Sequence, residues 1–182
     1  KNPFPTMPLK FWNDKNDNKF KDAYFNRFPN TWHHGDFAEI KTTRGFVIHG
    51  RSDTTLNPGG VRLGTAEIYS EVEKFKEIKE SIVVGQSWDN DVRIILFVVM
   101  NTKFFLTEDL LKKIKTQIRK NASPRHVPSK VIVVKDIPRT KSGKIVELAV
   151  KNTIEGNNIK NEEALANPKA LEQFKGLKEL SI

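Results

Sequence analysis

The sequence predicts an α+β fold: a small, roughly three-stranded sheet with a hairpin and about three helices packed on it. Three observations carry this. The run from Ile94 to Met100 is apolar without alternation, as in a strand covered on both faces. Leu110, Leu111, Ile114 and Ile118 recur at helical spacing, leaving Lys112, Lys113, Lys115, Arg119 and Lys120 for other faces or the C-terminal end. Leu56 and Leu63 flank Asn-Pro-Gly-Gly, a strong turn signal between two short extended runs.

Taken in order, residues 1–35 are rich in Asn, Asp, Lys and aromatics, and Pro3, Pro5, Pro8 and Pro29 exclude long helices. No self-contained core is visible there. The segment reads as the end of something larger, in keeping with a first residue, Lys1, that is not Met. From Gly45, "GFVIHGR" predicts a strand. Residues 65–76 place Ile68, Val72 and Phe75 on one helix face. "SIVVG" and "VRIILFVVM" follow as strands. Thr107 caps the next helix, with Glu108 and Asp109 favourable at its positive end. "KVIVV" supplies a third core strand, and residues 145–155 a last helix ended by Gly156.

Composition narrows the chemistry. The chain has 182 residues, enough for one domain and a fragment of another. It contains no cysteine, which excludes disulfides, thiolate metal sites and cysteine nucleophiles and fits a reducing cytoplasm. The longest apolar run is too short to span a bilayer, and the opening residues lack the form of a signal peptide. The formal charge is +9. Residues 101–160 hold 14 Lys/Arg against 5 Asp/Glu, while the rest of the chain holds 17 of each, so the whole excess lies in one third of the chain. Such a field favours an anionic partner: nucleic acid, an acidic membrane or a phosphorylated small molecule. A basic nucleic-acid-binding domain would want aromatics among the cations for base stacking, and residues 112–125 contain none.

"DIPRTKSGKIVEL", residues 136–148, places Lys144 after Ser-Gly and before a helix. A phosphate-cradling loop needs a Gly five residues before the second Gly and a Ser or Thr after the lysine; Pro138 and Ile145 stand there instead. On spacing alone Lys144 is an ordinary solvated lysine.

Three segments, "WHHGDFAEI", "GRSDTTLNPGGVRLGTAEI" and "IPRTKSGKI", resemble successive late motifs of the adenylate-forming acyl-CoA synthetases, in the family's order. The resemblance covers nearly the whole chain. It implies that residues 1–52 are the β-rich tail of a larger N-terminal adenylation domain, and that residues 53–182 are the mobile C-terminal domain with a C-terminal extension. It implies ligation of an acid to coenzyme A through an acyl-adenylate, with ATP, AMP and Mg2+ as cofactors and the metal held mainly outside this chain. The wording of "TLNPGGVRLGTAEIY", "SPRHVP" and "NEEALANPKALEQF" points within the family to acetoacetate as the acid, with acetate or propionate as nearest alternatives. Neither nucleic acid nor membrane is an expected partner, and the sequence carries no signal for oligomeric state. The segment contains no Ser/Thr/Gly-rich phosphate loop or acyl pocket, so it is not expected to turn over alone.

Roles transfer residue by residue. Asp36 matches the acceptor for both ribose hydroxyls of the nucleotide, a task suited to an acceptor-only carboxylate. Arg51 matches an arginine at the ribose and phosphate region, and Arg62 one that approaches the adenylate phosphate; a rigid guanidinium suits such oxygens. Asp53 matches the hinge. Gly59 and Gly60 match glycines lining the pantetheine tunnel, where the lack of Cβ admits a narrow thiol arm. Arg119 matches an arginine on the CoA phosphate, and Lys144 the lysine that meets the substrate carboxylate and α-phosphate during adenylation. His33 and His34 depart from the commoner Thr before Gly-Asp; no metal site is expected from them.

Overall fold

The computed structural model describes residues 4–159 and 161–181; Lys1 and Pro3 lie outside the described residues. The chain divides into two compact units, Lys1–Gly35 and Asp36–Ile182.

Among its described residues the first unit contains one short α-helix, α1 (Asn18–Tyr24), which begins where the Asp14 carboxylate accepts the N–H groups of Lys19 and Phe20 at 2.9 and 2.8 Å. Around it Phe11, Phe20, Phe25 and Trp32 meet edge-on or tilted, and Tyr24 stacks on Trp32 at 3.8 Å. None of residues 4–34 is buried, so the aromatics form a clasp and not a core.

The second unit opens with a two-stranded antiparallel ribbon, β1 (Asp36–Ile40) and β2 (Phe46–Arg51), turned at Arg44 with φ of 64°. Only β2 is anticipated by the sequence. Ala38, Glu39 and Ile40 of β1 are exposed, so no burial pattern marks the strand.

The core sheet has the order β3 (Ile78–Trp88), β4 (Asp91–Met100), β5 (Lys130–Val133), antiparallel then parallel. Helix α3 (Glu108–Asn121) makes the crossover from β4 to β5 that a parallel pair requires. Strand alternation divides the sheet cleanly. Val83, Ile94, Leu96 and Val98 face α2 (Thr65–Val72) and α3, meeting Ile68, Val72, Leu110, Ile114 and Ile118. Ile82, Val84, Ile95, Phe97 and Val99 face the other way, toward Val150 of α4 (Glu147–Ile154) and Leu165, Leu171, Phe174 and Leu180 of the C-terminal segment. That segment folds as the 3-10 turns Glu162–Ala164, Pro168–Phe174 and Lys178–Leu180. Both faces of β4 are thus covered, as its unbroken apolar run requires.

Element ends carry two refinements. α2 stops at Val72 and not at residue 76, because Phe75 turns back to donate its N–H to the Val72 carbonyl at 3.1 Å and starts the chain into β3. α4 begins at Glu147 and not 145, because Ile145 is engaged in a bridge with Arg139. The Thr107 cap forms as expected, its hydroxyl accepting the Leu110 N–H at 3.2 Å.

Candidate functional site

Three groups of residues come together in the second unit. The first lies at the open end of the β1–β2 ribbon. Register pairs Asp36 with Arg51, and the two side chains approach to 3.7 Å. The Arg51 guanidinium also donates to Asp53, Nη2 to Oδ2 at 3.3 Å and Nε to Oδ1 at 3.4 Å. One arginine therefore stands between two carboxylates. All three remain open to solvent, with the Asp36 side chain 29% and the Arg51 side chain 50% exposed. Arg62 lies over the Phe37 ring at 5.8 Å, which brings a second guanidinium against the same ribbon.

The second group is the turn at Gly59. Leu56 and Leu63 exchange backbone hydrogen bonds of 3.0 and 2.8 Å, and Pro58–Gly60 closes the loop in a 3-10 turn. Gly59 and Gly60 have φ of 58° and 76°, the left-handed region that the turn requires and side chains resist. The Asp91 carboxylate accepts the Gly59 N–H at 2.8 Å. The N–H groups of Val92 and then Gly59 hold this carboxyl below its usual value. The brace is therefore present above the ordinary carboxylate range and lost as pH falls through the lowered value. A Cβ on Gly59 would lie 3.6 Å from Nη1 of Arg125, an exposed cation that the role assignments from sequence passed over. Its signal was its place in the basic third of the chain. Arg119 is exposed in the last turn of α3, the helix that leads into the Pro124–His126 turn bearing Arg125.

The third group carries Lys144. Gly143 donates its N–H to the Thr140 carbonyl at 2.8 Å, and Thr140 its N–H to the Lys144 carbonyl at 2.8 Å. With Gly143 at φ of 83°, this is a tight hairpin with a glycine bulge at its exit. The Thr140 hydroxyl accepts the Lys144 N–H at 3.1 Å, and Arg139 Nη1 caps the Gly143 carbonyl at 2.9 Å. Lys144 is exposed just beyond the bulge. The "SGK" spelling thus has a local cause, since the residue before the lysine must take a left-handed backbone.

A partly exposed polar network ties the ribbon to the rest of the unit. Glu67 of α2 receives His49 Nδ1 at 2.9 Å and His126 Nε2 at 3.3 Å, and Glu39 meets His49 Nε2 at 3.3 Å. The ribbon sits close: a Cβ on Gly64 would lie 2.4 Å from the His49 carbonyl oxygen. Among the described residues no group of three or more His, Cys, Asp or Glu is arranged to hold a metal, and no helix is long and apolar enough to cross a membrane.

Residues 67–144 match the AMP-binding enzyme C-terminal domain family. The chain is 60% identical to the acetoacetyl-coenzyme A synthetase of Rhizobium meliloti (strain 1021), over 97% of this chain and 27% of that protein. It is 48% identical to the acetoacetyl-CoA synthetase of Xenopus tropicalis, over 98% of this chain and 27% of that one. Among solved structures it superposes on the acetoacetyl-CoA synthetase from Streptomyces lividans with a TM-score of 0.89 at 39% identity, covering 99% of this chain and 27% of that structure. The chain therefore spans about a quarter of the length of the relatives it matches.

Proposed function

We propose that the chain is the C-terminal part of an ATP-dependent acetoacetate–CoA ligase. The observation that carries this reading is the 60% identity, across 97% of the chain, to a protein named for that activity. The reaction joins acid and ATP into an acyl-adenylate with release of diphosphate, after which the CoA thiol displaces AMP. An activated intermediate divides one difficult acylation into two easier steps. Mg2+ enters with ATP, and no residue of this chain is assigned to it. A cytoplasmic location goes with the reading.

Asp36 and Arg51, brought together across the ribbon, take the ribose hydroxyls and phosphate region of the nucleotide, and Arg62 approaches the adenylate phosphate. The bridging of Asp36 and Asp53 by Arg51 supports a nucleotide contact directly beside the hinge. The moving unit begins at residue 53, and the contacts of β2 with α2 belong to one of its orientations. Gly59 and Gly60 leave the backbone open to the pantetheine arm. Lys144 supplies positive charge where the carboxylate meets the α-phosphate.

The test is acid-dependent exchange between ATP and diphosphate by the full-length protein that carries this chain. Acetoacetate is expected to support exchange at a higher kcat/KM than acetate or propionate. A preference for acetate or propionate would move the protein to the neighbouring class of short-chain ligases, and no exchange with any of the three would overturn the reading.

The basic cluster predicts a second result. Arg119 is exposed at the end of a helix whose free face carries Lys112, Lys113 and Lys120, suited to the compact polyanion at the nucleotide end of CoA. Arg119→Glu is expected to raise the KM for CoA, more strongly at low salt where repulsion is least screened. The KM for ATP in the adenylation step should not move. An unchanged KM for CoA at low ionic strength would leave the cluster as a solvated surface.

A further inference from the structure

We propose that Asn167, in the C-terminal segment beyond the family match, is a positioning residue for Lys144. The inference rests on the role given to Lys144 above and adds the element that holds it.

The Lys144 turn is one edge of a three-stranded ribbon. Arg139 pairs with Ile145 on one side, while on the other Thr140 pairs with Leu165. Ala166 donates its N–H to the Arg139 carbonyl at 2.8 Å, and Lys141 donates to the Ala164 carbonyl at 3.0 Å. The middle strand of this ribbon descends from β5 through residues 135–139, where backbone groups lack a neighbouring strand. Side-chain amides of the C-terminal segment replace it. Gln173 Oε1 accepts the Lys135 N–H at 2.6 Å, and its Nε2 donates to the Asp136 carbonyl at 2.7 Å. Asn167 Oδ1 accepts the Arg139 N–H at 2.7 Å. Asn167 Nδ2 donates to the Ile137 carbonyl at 3.0 Å and to Asp136 Oδ2 at 2.7 Å.

The residue type is dictated by this pattern. One side chain must accept from an N–H and donate twice, which an amide does and a carboxylate or hydroxyl does not. Asn167 is also anchored from behind, since Ala170, Leu171 and Phe174 in the turn that follows it are buried. The Asn167 amide thereby adds three side-chain bonds to the backbone bonds that tie this buried hydrophobic anchor to Arg139, whose guanidinium caps the turn and whose Nη2 meets Glu80 of β3 at 3.1 Å. Loss of the amide leaves the turn hydrogen bonds and the backbone bonds to Ala164 and Ala166 intact but removes the bonds at Asp136, Ile137 and Arg139 that fix the tilt of the hairpin. Displacement of a reacting group by about 1 Å can lower a rate a hundredfold.

In the full-length protein, Asn167→Ala is expected to reduce kcat for acetoacetate-dependent ATP–diphosphate exchange by about ten- to a hundredfold. The KM for ATP and the reaction of preformed acyl-adenylate with CoA should be nearly unchanged. Asn167→Asp sets a carboxylate against Asp136 and should reproduce the loss; adding Asp136→Asn restores a donor facing an acceptor and should recover part of it. That recovery also decides the case if Asn167→Ala fails to fold. Equal losses in both half-reactions, or no recovery in the double variant, would make Asn167 a stabilising residue only and overturn the proposal. If Lys144→Ala abolishes exchange while both Asn167 variants retain it, the positioning role alone falls. If Lys144→Ala retains exchange, the reading of Lys144 falls with it.

Discussion

Lys144→Ala in the full-length protein is expected to lower adenylation by about two to three orders of magnitude, the usual consequence of removing one preorganised donor from a site of developing negative charge. The reaction of preformed acyl-adenylate with CoA should proceed almost normally. The asymmetry follows from where the lysine sits: it is exposed beyond a rigid hairpin and serves no visible structural purpose, since the hairpin is closed by backbone groups, Thr140 and Arg139. Truncating it should therefore leave the thermal unfolding midpoint in place. The decisive measurement is the pair of half-reactions assayed separately. Equal losses in both would mean that Lys144 acts in both orientations or in folding, and the adenylation role would fail.

The second large effect is on stability. Phe174 is fully buried and meets Phe97 edge to face, with ring centroids 4.9 Å apart. Phe174→Ala should destabilise the unit by about 3–5 kcal/mol, the range for emptying an aromatic-sized volume in a packed core. Phe105 is 80% exposed, and Phe105→Ala should change stability by no more than about 0.5 kcal/mol. Denaturant titration of both variants distinguishes them. Similar midpoints would show that the C-terminal segment is an appendage and that the second face of the sheet is complete without it.

That segment also marks the limit of what the sequence discloses. β4 and α3 were legible because their burial leaves a local pattern: every residue from Ile94 to Val99 is buried, an unbroken apolar run, and the α3 stripe follows helical spacing. Leu165, Leu171, Phe174 and Leu180 are equally well packed, yet they are spaced through 3-10 turns with no repeat, so no pattern announces them as core. β1 was silent for the opposite reason, since three of its five residues are exposed and none is buried. Gly59, Gly60 and Gly143 could be singled out from their neighbours, and each takes a positive φ. Arg125, His49, Glu67 and Asn167 could not, because their meaning lies in partners tens of residues away, and a hydrogen bond across such a separation leaves no trace in local spacing.

The two faces of the sheet have one more consequence. Leu56 and Leu63, which carry the Gly59–Gly60 turn, are rooted in the cluster on the α2–α3 side. Ile145 and Val146, which follow Lys144, pack against the cluster on the α4 side. Between them, Tyr69 of α2 donates its hydroxyl to Glu147 of α4 at 2.6 Å while accepting the Val83 N–H at 3.0 Å, so a single phenol rivets both helices to β3. Burial, and then the Glu147 carboxylate, push that phenol well above its ordinary pKa, so the rivet stays protonated through the working pH range. The domain is then a rigid two-headed key. On the roles proposed above, one head bears the ammonium and the other the bare glycine turn, rooted on opposite faces of the sheet, so a single stationary keyhole would accept only one of them until the key is turned over.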